Sequence, residues 1–72
     1  METLYDVQQL FKRFGMYIYV GARIYDIELM AIELKNLYEG HLIDKETYLH
    51  ARRILSREHK IEENRMTEKG FE

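Results

Sequence analysis

The 72-residue chain contains no cysteine, no proline and no tryptophan. Without cysteine, neither a disulfide nor a thiolate metal site can reinforce the fold. Without proline, punctuation falls to the four glycines, at positions 15, 21, 40 and 70. No apolar run approaches the roughly 18 residues that span a bilayer. The opening Met1-Glu2-Thr3 is acidic where a signal peptide would be basic. A strong charge excess is also missing: the formal net charge is −2 and the pI about 5.9. Bulk charge therefore lends no support to a nucleic-acid or anionic-membrane role. The expectation is a cytoplasmic protein without membrane contact.

What is present is enough for a core, with 46% hydrophobic and 33% charged residues. At this length one domain is expected, and its core stabilises the fold by only about 3–5 kcal/mol. Thr3 can cap a first helix, with Asp6 in its first turn. Leu4, Val7, Leu10, Phe11 and Phe14 share one face of it, and Gly15 suits the left-handed residue that ends it. Helix 1 is thus expected over about 4–14. Met16-Tyr17-Ile18-Tyr19-Val20 is aromatic and β-branched, which favours extended backbone. A lone strand has no pairing partner, so the run reads as an extended connector over the helices, with Ile18 or its neighbours inward and Tyr17 and Tyr19 on one side.

Helix 2 is expected from about 22–24 to 39. Ile24, Ile27, Met30, Ala31, Leu34, Leu37 and Tyr38 form its broad apolar face. Tyr25, Leu29 and Ile32 make a second apolar stripe on the opposite side. The corner Gly40-His41-Leu42-Ile43-Asp44 combines a glycine stop, an Asp44 N-cap, and Ile43 and Tyr48 at the positions of a hydrophobic staple. So short a link makes helices 2 and 3 an antiparallel hairpin. Helix 3 is expected from Lys45 to about Arg65, with Tyr48, Ala51, Ile54 and Leu55 inward and Glu58 and Glu62 taking over that face. The fold expected is an all-α three-helix bundle over 1–65, with a disordered tail over 66–72.

Chemistry finds few footholds. His50 and His59 lie nine residues apart, on opposite sides of one helix, and no zinc-site spacing surrounds them. His41 at the corner can simply bond the last carbonyls of helix 2. Ser56 is the sole serine and has no glycine elbow. The bulky residues between Gly15 and Gly21 rule out a phosphate-cradling loop. No catalytic residue, metal or cofactor is expected.

Binding has more to stand on. Arg53, Arg57 and Lys60 fall along the outward face of helix 3 and could track a phosphate backbone, joined by Lys12, Arg13 and Arg23. Tyr17, Tyr19 and Tyr25, where exposed, could stack on unpaired bases. The plain alternative is a solvated helix whose glutamates offset its arginines, with the tyrosine rings buried. The Tyr25–Leu29–Ile32 stripe opens a different class, an interface with a second copy or with another protein's helix. Cover within the monomer, by residues 16–20 or by helix 3, would explain it equally well.

Tyr5-Asp6-Val7-Gln8-Gln9-Leu10, then Tyr19-Val20-Gly21 with Arg23, then Asp26-Ile27-Glu28-Leu29-Met30, together resemble the YqgQ-like family of small uncharacterised proteins of Firmicute-type bacteria. The likeness runs on through Glu33-Leu34 and Leu37-Tyr38 to the hairpin, up to about residue 60. It implies a compact three-helix fold and, from structural likeness proposed for such proteins, single-stranded nucleic-acid binding. Ala22 departs from the polar or acidic residue expected in relatives, so a conventional polar cap is not expected there. The hairpin from Leu34 to Leu55 also resembles a common pattern of oligomerisation modules.

Overall fold

Thr3 begins the first helix with a reciprocal cap: its hydroxyl accepts from the Asp6 N–H, and the Asp6 carboxylate accepts from the Thr3 N–H. The computed structural model describes the backbone of residues 1–70 and the side chains of residues 1–66. Three helices follow in chain order, α1 (Leu4–Lys12), α2 (Arg23–Glu39) and α3 (Lys45–Gly70). Among the described residues there is no strand, so the chain is an all-α three-helix bundle.

α1 stops two residues before the expected 14, because the chain is already turning. Gly15 sits at φ 74°. That left-handed residue lets the Gly15 N–H reach the Lys12 carbonyl at 2.9 Å and the Met16 N–H reach the Phe11 carbonyl at 3.0 Å. These are the paired bonds of a Schellman ending. Met16 to Val20 then run without helix or strand. Alternation does the rest. Met16 and Ile18 pack against the core, while Tyr17 and Tyr19 stand out at 76% and 82% exposure.

Ala22, the N-cap of α2, makes no side-chain cap bond, as the departure there implied. Asp26 supplies a different fixture. It is buried, and its carboxylate accepts the Val20 N–H at 2.6 Å, tying the end of the connector to the first turns of α2. A charge-assisted bond of this kind is roughly twice as strong as a neutral one. Nothing in the spacing signalled the grip of Asp26 on a backbone group six residues earlier.

The α2–α3 corner is a capped hairpin, with one correction. Gly40 does not take the left-handed position, since its φ is −83°. His41 does, at φ 61°, and allows the bonds from His41 N–H to the Tyr38 carbonyl (3.0 Å) and from Leu42 N–H to the Leu37 carbonyl (2.9 Å). Gly40 stands in a tight spot instead: a Cβ there would lie 3.3 Å from the Asn36 carbonyl oxygen, closer than ordinary contact. Asp44 caps α3 by accepting the Thr47 N–H at 2.8 Å. Ile43 and Tyr48 both pack against the core, and the Tyr48 ring stacks on Tyr38 with centroids 4.3 Å apart.

The core draws on all three helices. Leu4, Val7, Leu10 and Phe11 come from α1, Ile27, Met30, Leu34 and Leu37 from α2, and Ala51, Ile54 and Leu55 from α3. Ala31, expected on this face, is exposed. α3 runs to Gly70, past the expected end near Arg65. Of the stretch expected as a tail over 66–72, residues 66–70 carry helical backbone, and residues 71 and 72 lie outside the described residues. At about 1.5 Å per residue, the 26 residues of α3 outreach the 17 of α2.

Candidate functional site

The connector makes one surface. Lys12, in the last turn of α1, holds its ammonium 6.0 Å from the centre of the Tyr17 ring, at the outer range of a cation–π contact. Gln8, Lys12, Tyr17 and Tyr19 rim a shallow groove of about 260 Å³ floored by Phe11, Met16, Ile18 and Met30. Arg13 is exposed next to Lys12 along the chain. Of the candidate nucleic-acid contacts, the fold thus brings Lys12, Tyr17 and Tyr19 together.

The other cations stand differently. Arg23 reaches across to α3, with Glu58 at 3.4 Å and Glu62 at 3.7 Å. Arg57 donates to the Glu2 carbonyl oxygen at 2.6 Å and pairs with Glu58 at 3.6 Å. Both arginines are committed to intramolecular acceptors that draw α2 and the N-terminus onto α3. Arg53 and Lys60 are exposed and make no ion pair among the described residues. The pairs are half exposed on the arginine side, so each contributes little to stability. Their consequence is electrostatic: Glu58 and Glu62 neutralise charge that the sequence left available for phosphate.

The stripe on α2 is largely uncovered. Tyr25 is 58% and Ile32 59% exposed, while Leu29 is half-buried. Neither the connector nor α3 closes over it, which decides the question that periodicity left open. Tyr25 borders a hollow with Ile24, Glu28, His59, Glu63 and Met66 rather than the groove of Tyr17 and Tyr19. The three candidate stacking tyrosines therefore belong to two different surfaces.

One cluster was only half legible in the sequence. His59 Nε2 lies 2.8 Å from Glu28 on α2, and Nδ1 lies 3.4 Å from Glu63 on its own helix. The spacing of Glu63 from His59 is a local i, i+4 pair and was readable. Glu28 precedes His59 by 31 positions, and only helix packing brings them together. The hydrogen bond to Glu28 raises the His59 pKa above its ordinary 6.5, assisted by the charges of Glu63 and Glu28 and opposed by burial. Among the described residues, no group of three or more His, Cys, Asp or Glu is placed to hold a metal.

This cluster predicts a pH dependence. A raised folded pKa means that the stability from His59 is fully present below about 6.5 and is lost as pH rises through the folded value. At the acid end, Asp6 and Asp44 are held below the usual 3.8. The N–H groups of Glu2 and Thr3 lower Asp6, and bonds from Thr47 lower Asp44. Their contributions are present above that value and are lost as pH falls through the depressed ones. Urea midpoints measured from pH 3 to 9 should be highest between about pH 4.5 and 6.5. His59→Gln should flatten the alkaline limb and leave the acid limb in place. An unchanged alkaline limb would remove His59 as its cause.

Among the described residues no helix is long and apolar enough to cross a membrane. A model of the YqgQ-like family matches residues 1–61, which take in α1, the connector, α2, the corner and more than half of α3. The chain is also 50% identical over 58 residues to the uncharacterized protein YqgQ of Bacillus subtilis (strain 168), covering 81% of this chain and 82% of that one. The capped hairpin, the connector and the three-helix core all lie within the matched stretch, and the chain belongs to the YqgQ-like family.

Proposed function

We propose that the chain is a non-catalytic module that holds single-stranded nucleic acid weakly and without sequence preference, through the face made by α1 and the connector. The observation that carries this reading is the pair of outward tyrosines, Tyr17 and Tyr19, beside the Lys12 ammonium. In extended backbone, residues two apart stand about 6.6–6.8 Å apart. That is roughly twice the 3.4 Å rise of one stacked strand. Alternate bases of a stacked strand, or neighbouring bases of a stretched one, match the two rings. Stacking tolerates any base because every base has a π face. Lys12 and Arg13 supply phosphate contacts at this face, and Arg53 and Lys60 offer a further track on α3. Arg23 and Arg57 contribute less, since their glutamate partners must first be displaced.

Fluorescence anisotropy with a labelled single-stranded oligonucleotide tests the reading. With two cations engaged, log K should fall with log salt at a slope of about −1.4. Tyr17→Ala should weaken binding by about 1–3 kcal/mol, roughly 5- to 150-fold, with the fold intact because that ring is solvent-exposed. No binding at low salt, or equal binding by Tyr17→Ala, would end the proposal.

A second reading is a protein-interaction or self-assembly module built on the helix 2 stripe. It is favoured by the exposure of Tyr25 and Ile32, since aligned large apolar side chains left in water are uncommon on a small monomer. The two readings use different faces and are compatible.

A further inference from the structure

A concavity of about 680 Å³ lies between α2 and α3, and no residue of α1 or the connector lines it. Its floor is apolar: Ile27, Leu34 and Leu55 come up from the core, with Ala31 beside them and the exposed Ile32 at the lip. Lys35 stands on one wall and Arg52 on the other. Both are exposed, and neither has an ion pair among the described residues. The sole carboxylate of the lining, Glu28, is already held by His59 at 2.8 Å.

We propose that this groove docks an acidic amphipathic helix of another protein. Two antiparallel helices present a trough that a third helix fills at an interaxial distance of about 8–10 Å. Along α2 the lining runs from Ile27 to Lys35, and along α3 from Tyr48 to His59. At about 1.5 Å per residue that is roughly 12–17 Å, or two to three turns. Such a length accepts apolar anchors at i, i+4 and i+7. Charge selects the flanking residues: two unpaired cations on opposite walls call for carboxylates on both sides of the anchor row.

The same charges argue against a second copy of this chain. A two-fold axis through the groove would set Lys35 and Arg52 against their own counterparts, with no free carboxylate in the lining to relieve them. The inference does not depend on nucleic-acid binding, because the tyrosine groove and this one share no lining residue.

Titration of the ¹⁵N-labelled full chain with two synthetic helical peptides tests it. Both carry leucine at i, i+4 and i+7; one has glutamate at the flanking positions and its twin has lysine. The acidic peptide should shift the amides of Ala31, Ile32, Arg52 and Ser56 and bind at least tenfold more tightly than the basic one. Lys35→Glu combined with Arg52→Glu should reverse that order. Both side chains are exposed, so the variant should keep its far-UV spectrum. Equal affinities, or shifts confined to another face, would overturn the proposal. So would displacement of the peptide by an oligonucleotide, or concentration-dependent broadening at the groove without peptide.

Discussion

Phe11→Ala should remove about 3–5 kcal/mol of stability, the usual cost of truncating a buried aromatic. The ring is 1% exposed and belongs to the cluster that joins α1 to the other helices. A core of this size supplies only about 3–5 kcal/mol in total, so the variant should be largely unfolded at 37 °C. Differential scanning calorimetry should show the melting temperature falling by more than about 12 °C, at about 4–8 °C per kcal/mol for a chain of this length. Phe11→Leu, which keeps most of the volume, should cost far less. The consequence reaches the connector as well. Phe11 floors the groove rimmed by Tyr17 and Tyr19, and its carbonyl receives the Met16 N–H that starts the connector. Where the alanine variant is still folded, in the cold, its connector should exchange amide protons faster than that of Phe11→Leu. A loss below about 1.5 kcal/mol would mean that the neighbouring side chains collapse into the space.

Leu34→Ala should cost about 2–3 kcal/mol, towards the low end of the range for leucine truncations. Leu34 is 1% exposed, in the middle of α2, and touches the core on one side while flooring the α2–α3 groove on the other. Deleting its branched end deepens a space that already opens to water. Part of the cavity can therefore hydrate or close, and the full penalty for a sealed void does not arise. Ile32 is the control, two residues earlier and 59% exposed. Its alanine variant should stay within about 0.5 kcal/mol of wild type. Urea unfolding curves for the three proteins should share one slope and separate only in midpoint. A Leu34→Ala midpoint equal to that of Ile32→Ala would contradict the burial pattern on which the groove rests.

These contrasts mark how far the sequence could be read. The caps at Thr3 and Asp44 and the apolar faces of the helices involve partners within a turn of one another, so spacing alone pointed to them. The alternation of the connector was equally local. His41 shows where local reading failed. Glycine is the residue that takes left-handed backbone most cheaply, so Gly40 was the natural choice for the end of α2. Instead Gly40 keeps a φ of −83°, where a Cβ would lie 3.3 Å from the Asn36 carbonyl oxygen, and His41 takes the left-handed position.

Capping, most of the inward faces and the hairpin were determined by the sequence itself, because helical hydrogen bonds and side-chain periodicity act over three or four residues. Which charges remain free and which apolar groups remain in water depended on how the helices lie together. Arg23 meets Glu58 and Glu62, and Glu28 meets His59, across separations that no spacing rule connects. Tyr25 and Ile32 stay exposed because the connector passes along the other side of α2, held there by Asp26. The groove beside Lys35 and Arg52 exists because α1 fills only one side of the α2–α3 pair.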